Sequence, residues 1–156
     1  MDFTAVIIEI NENENPCRKE DFFRETMTGI AAELGYKVKN YITLPFDESM
    51  LKKEAAKQID EEKTDLLFVR NRGRYSMNEA LFDLEDRSFR DKESWRRSWS
   101  RQRILYNEYN HAITVVRDDS FILNFEGEFL SVSEELVDIL KMWKENCILQ
   151  KSEKGA

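Results

Sequence analysis

The stretch Asp65–Leu81, DLLFVRNRGRYSMNEAL, decides how the chain folds. Leu66, Leu67, Phe68 and Val69 form an unbroken apolar run, the pattern of a strand covered on both faces in a parallel sheet. A loop follows, with Gly73 supplying a permissive backbone. Ser76 and Glu79 then fit the Ser-x-x-Glu capping box and predict a helix from about Met77 to Glu85. In open α/β sheets ligands bind beyond the carboxyl ends of the strands, where loop amides and helix N-termini converge. This places the candidate site on the stretch Arg70 to Ser76, RNRGRYS.

Working outward, Phe3–Ile10, FTAVIIEI, reads as a first central strand, followed by a polar loop from Asn11 to Pro16. A helix from about Lys19 sets Phe22, Phe23, Met27, Ile30, Ala31 and Leu34 near one stripe and ends at Gly35, a left-handed C-cap. Gly29 inside that helix is unfavourable and predicts close packing on a neighbour. Tyr36–Leu44 is the second strand, with Val38, Ile42 and Leu44 expected on one face. Asp47 then caps a helix burying Leu51, Ala55 and Ile59. Ala112–Val116 and Phe121–Phe125 read as strands joined by Asp118 and Asp119. A last helix starts at a second capping box, Ser131 and Glu134, and buries Val132, Leu136, Ile139, Leu140 and Trp143.

Strands alternating with helices predict a three-layer α/β/α domain with a mostly parallel central sheet, over residues 1–149, with 150–156 as a flexible tail. At 156 residues and 41% hydrophobic the chain has the material for one core. Five glycines and two prolines favour long helices over a sandwich of short strands. Without a long apolar run or a basic leader, the sequence reads as cytoplasmic, with no membrane partner. Cys17 and Cys147 lie far apart, which suggests neither a disulfide framework nor a zinc site.

The net charge of −7 argues against binding nucleic acid, yet it is unevenly spread. Between Asp86 and Arg103, Arg87, Arg90, Lys92, Arg96, Arg97, Arg101 and Arg103 outnumber Asp86, Asp91 and Glu93. Trp95 and Trp99, four apart within this basic island, suit a subunit contact and predict a homo-oligomer.

The order of elements and two loops resemble the molybdopterin-binding fold of the molybdenum-cofactor biosynthesis family, which includes the molybdopterin adenylyltransferases. The resemblance covers about Phe3 to Leu140. Ile122–Leu136, ILNFEGEFLSVSEEL, is similar to the family's strand, Pro-Gly-x-Pro loop and helix. Asp65–Leu81 is similar to its strand, Thr-Gly-Gly-Thr-Gly loop and helix start, with Glu79, Ala80 and Leu81 matching. The departures fall in the same loops. Arg70, Asn71, Arg72 and Gly73 stand where the family has Gly-Gly-Thr-Gly, and Tyr75 or Ser76 where it has an acid. Only Gly127 remains of the second loop, flanked by Glu126 and Glu128. Asn11 stands where Asp is common, and Asn110 and His111 where Ser-Arg is common.

The resemblance implies a ligand site at the strand ends comprising Asn11, Arg70, Asn71, Arg72, Gly73, Arg74, Ser76, Glu79, Asn124 and Gly127, and a trimer. It implies molybdopterin or a magnesium-bound nucleotide as ligand where family function is retained. Phosphate approach needs the missing glycines and magnesium chemistry the missing acid, so adenylyl transfer is not expected to be efficient. Three readings stay open: a divergent binder of a pterin, nucleotide or other anion; an adenylyltransferase in which Arg70, Arg72 and Arg74 neutralise phosphate; and a non-enzymatic interaction module.

Overall fold

The computed structural model describes residues 3–11, 18–71, 75–84, 103–106, 110–117 and 120–127, together with 137–138, 140–141 and 143–145. The elements run β1 (Phe3–Asn11), α1 (Arg18–Glu33), β2 (Tyr36–Pro45), α2 (Glu48–Asp60), β3 (Leu66–Asn71), α3 (Asn78–Phe82), β4 (Arg103–Tyr106), β5 (Asn110–Arg117) and β6 (Ser120–Gly127). The described residues from 137 to 145 are helical.

One six-stranded sheet has the order β2-β1-β3-β6-β5-β4. The pairs β1–β2, β1–β3 and β3–β6 are parallel, while β5 lies antiparallel to both β6 and β4. The four parallel strands therefore end together, at Asn11, Pro45, Asn71 and Gly127.

Strand parity splits the core into two layers, because alternate side chains leave opposite faces of a pleated strand. Phe3, Ala5, Ile7, Leu66, Phe68, Phe121, Leu123 and Phe125 meet Phe23, Met27, Ala31 and Leu34 of α1, with Leu140 and Trp143. The intervening residues Val6, Ile8, Ile10, Leu67, Val69 and Ile122 meet Leu51, Ala55 and Ile59 of α2, and Met77 and Leu81 at α3. Among the described residues β1 and β3 are almost wholly buried, the cause of their uninterrupted apolar reading.

The edge strand β2 departs from the expected regularity. Val38 packs on the α1 side, whereas Ile42 and Leu44 pack on the α2 side. A bulge is responsible: Ala5 pairs with Val38 and Val6 with Asn40, leaving Lys39 as an extra residue that inverts the parity beyond it. The bulge and the exposed Lys37 and Lys39 also make this edge a poor template for pairing with another strand.

The helix boundaries follow their caps. Asp47 Oδ1 accepts from Met50 N at 3.1 Å, and Gly35 adopts φ +82° beyond α1. Lys144 Nζ donates to Leu34 O at that same helix end and lies 5.2 Å from the Phe3 ring centroid. Gly29 corrects its expectation: it faces outward, and a Cβ there would meet nothing within 4 Å. The strand β4 is an addition to the expected elements, because its sequence reads as the end of the basic island. The second capping box, Cys17, Cys147, Trp95, Trp99, most of the basic island and the tail lie outside the described residues, as do the side chains of Phe22 and Ile139.

Arg117 joins the β5–β6 hairpin to the α2 layer. Its Nε and Nη2 reach Asp60 Oδ1 and Oδ2 at 3.0 and 2.8 Å, and Nη1 reaches Leu84 O at 3.0 Å. The hydrogen-bonded guanidinium holds the Asp60 carboxyl below its ordinary value of 3.8, against a smaller opposing effect of burial and with help from Lys63. A lowered native value means that the contribution is present above the unfolded value and is lost as pH falls through the native one. Asp60→Asn is therefore expected to destabilise by under about 1 kcal/mol near neutrality, with the gap closing below about pH 4; urea titrations across pH measure it. A second pair of variants tests the two glycines by thermal melting. Gly29→Ala is expected to stabilise by about 0.5–1 kcal/mol, whereas Gly35→Ala is expected to destabilise, since its φ is left-handed and Lys144 occupies the space.

Candidate functional site

The parallel strand ends carry two polar groups, one on each face of the sheet. On the α1 face, Glu9 and Arg70 are register partners on β1 and β3. Glu9 is buried and accepts from Arg24 Nε at 2.5 Å, so α1 supplies a cation where β1 buries an anion. Arg70 is 5% exposed, with its guanidinium 5.9 Å from the Phe23 ring centroid. This corrects the expectation that Arg70 belongs to the loop. The strand continues through Asn71, and alternation sends Arg70 toward α1 and Asn71 toward α3.

On the α3 face, Asn71, Asn124 and Glu126 are all buried. Glu126 Oε2 accepts from Asn71 Nδ2 and from Met77 N, each at 2.7 Å, and its Oε1 accepts from Ser76 Oγ at 2.8 Å. Asn71 uses its amide twice, because Nδ2 also donates to Tyr75 O at 2.9 Å. The expected capping box is thereby replaced. Met77 is the N-cap of α3 without a side-chain cap bond, while Ser76 Oγ takes Asn78 N at 3.1 Å and donates to Glu126. Ser76 thus still serves a helix-start N–H, at Asn78, while a carboxylate delivered from β6 takes the Met77 N–H in place of a local side chain. Asn124 Nδ2 donates to Asn78 Oδ1 at 2.8 Å, and among the described residues Asn124 Oδ1 has no hydrogen-bond partner.

Of the expected site residues, the structure brings together Asn71, Ser76 and Asn124 around Glu126 and Asn78. Asn11 ends β1 half-buried, Glu79 is exposed on α3, and Gly127 ends β6. Arg72, Gly73 and Arg74 lie outside the described residues, as do the side chains of Asn110 and His111. The site residue that the sequence undervalued is Glu126, read there as a loop departure. Its place as the register partner of Asn71 is the signal that names it, visible only once β3 and β6 are known to be neighbours.

Two open grooves, of about 470 and 540 Å³, flank β2, one against α2 and one against α1. Both are lined largely by solvated side chains, so the buried polar convergence is the better marker of a site. The donors at the start of α3 already serve Glu126. A triphosphate would have to compete with that carboxylate for these donors.

With this geometry the chain falls in the class of three-layer α/β domains with a polar site at the carboxyl edge of a parallel sheet. Solved structures narrow the class. A molybdopterin biosynthesis protein from Mycobacterium abscessus is similar at TM-score 0.61 and 14% identity, over 97% of this chain and 98% of that one. The molybdopterin biosynthesis enzyme MoaB from Thermus thermophilus is similar at 0.53 and 21%, over 78% and 79% of the two chains. A molybdenum cofactor biosynthesis protein B is similar at 0.54 and 15%, over 91% and 87%. No family model and no curated protein matches by sequence. The chain has the MoaB-like, molybdopterin-biosynthesis fold that its sequence resembles.

Replacing the Glu126 carboxylate with an amide removes an acceptor and opposes donor to donor. Glu126→Gln is expected to cost about 1–3 kcal/mol in urea unfolding without changing the slope of the transition. A loss below about 0.5 kcal/mol would show that the three donors find other partners.

Proposed function

We propose that this chain is a divergent molybdenum-cofactor-biosynthesis-like protein that binds a pterin-type ligand at the carboxyl ends of its parallel strands and does not transfer adenylyl groups. Support for the pathway comes from the fold neighbours, whose names concern molybdopterin and molybdenum-cofactor biosynthesis. The observation that carries the loss of transfer is Glu126, which takes Asn71 Nδ2, Ser76 Oγ and Met77 N. Phosphoryl chemistry depends on positioning and charge neutralisation, and here the three donors are already taken by a group of the chain itself.

Incubation of the protein with molybdopterin, ATP and magnesium is expected to give no adenylylated pterin above the rate without protein. Magnesium-dependent turnover that disappears in Glu79→Gln would contradict the proposal. The competing reading, a nucleotide or other anion neutralised by arginines, depends on Arg72 and Arg74, because Arg70 is buried toward α1.

The proposal includes self-association, as a trimer by resemblance, and a cytoplasmic setting. Among the described residues no helix is long and apolar enough to cross a membrane. Light scattering across micromolar concentrations checks the assembly: a trimer mass is expected, and a monomer mass at every concentration rejects it.

A further inference from the structure

We infer that Tyr75, backed by Phe46, is a stacking platform on which a planar heteroaromatic ring is held by its face. The inference rests on the ligand-binding reading above and names what that site recognises. Among the described residues the exposed large hydrophobic side chains are Tyr41, Met50 and Tyr75, and Tyr75 is much the most open at 72%. Tyr41 has partners that account for its position: its hydroxyl meets Thr28 Oγ1 at 2.9 Å and Arg24 covers its ring at 5.6 Å. The Tyr75 ring instead leans on Phe46, at 6.4 Å between centroids and 47° between planes, and is otherwise largely exposed.

The two rings stand where a ligand would meet them. Phe46 follows Pro45 at the end of β2, and Tyr75 lies just beyond Asn71 at the end of β3. This is the edge of the sheet at which open α/β folds bind ligands. Phe46 is partly buried and packs against the α2-side core, so it is a fixed support. Tyr75 is anchored through its backbone: its carbonyl oxygen accepts from Asn71 Nδ2 at 2.9 Å, and Glu126 fixes the next two residues. Holding the backbone in advance lowers the ordering cost of binding, and an amphipathic ring with few rotatable bonds suits a contact surface.

The chemistry of the surrounding groups favours a ring over a phosphate. Among the described residues Glu126 already takes the donors of Asn71, Ser76 and Met77, whereas a π-face needs none. Bicyclic nitrogen heterocycles of the pterin and purine type are the matching class, since stacking depends on the ring face and tolerates different edges.

The experiment titrates wild type, Tyr75→Phe and Tyr75→Ala separately with pterin, followed by its own fluorescence, with adenosine and with inorganic phosphate, followed by calorimetry. Circular dichroism melting verifies that each variant is folded, which is expected because the ring is exposed. Tyr75→Phe is expected to bind pterin within about twofold of wild type, and Tyr75→Ala about five- to tenfold more weakly. Equal pterin affinity of wild type and Tyr75→Ala overturns the platform and leaves the pterin reading standing. Adenosine binding that depends on Tyr75, without pterin binding, supports the platform and overturns the pterin reading. Binding of phosphate alone, or of none of the three, overturns both.

Discussion

A carboxylate buried at the end of a central strand must be met by donors, and the connection between β3 and α3 is shaped around that requirement. Glu126 reaches across from β6 to Asn71, Ser76 and Met77, residues about fifty positions earlier in the chain. Charge-assisted hydrogen bonds of this kind contribute more than neutral ones, and leaving any of the groups buried without its partner costs more than the bond contributes. The same contacts determine where α3 begins. The site is therefore organised by tertiary pairing, and its donors point at a group the chain itself supplies.

That arrangement depends on the parallel register. β3 and β6 are neighbours with Asn71 opposite Glu126 and Val69 opposite Asn124, which sets Asn71, Asn124 and Glu126 on the α3 face. The intervening Arg70 and Phe125 turn to the α1 face, where Arg70 meets Phe23 and Phe125 lies 5.5 Å from the same ring. A shift of one residue in β6 would exchange a buried acid with a buried aromatic. The apolar run before each strand end resists such a shift, because both faces are packed: Leu66 and Phe68 against α1, Leu67 and Val69 against α2. Core packing thus specifies the site at one remove, by fixing register.

The fold was legible because its signals are local. Gly35 ends α1, Asp47 starts α2, and the apolar runs of β1 and β3 mark a covered sheet. The resemblance carried by Asp65–Leu81 and Ile122–Leu136 points to the fold that the solved structures share. The errors came from non-local causes. A single extra residue at Lys39 reversed the faces of β2, which no periodicity over that strand reveals. Ser76 and Glu79 match a capping box, yet Ser76 serves only Asn78 N and a carboxylate from another strand takes Met77 N. Arg70 reads as the first member of a loop row with Arg72 and Arg74, which lie outside the described residues, but the strand extends one residue past Arg70 and buries it. Asn71, Ser76 and Asn124 were within reach of sequence reading as strand-end residues, while Glu126 needed the strand order to be appreciated.

The central claim is that Glu126 and its donors act as one unit at the strand ends. A double-mutant cycle on Asn71→Ala and Glu126→Gln, read as unfolding free energies in urea, tests it most directly. The account predicts that the two losses are not additive, with a coupling of at least about 1 kcal/mol, since the second substitution finds the contact already broken. Losses that add within about 0.3–0.5 kcal/mol would contradict it.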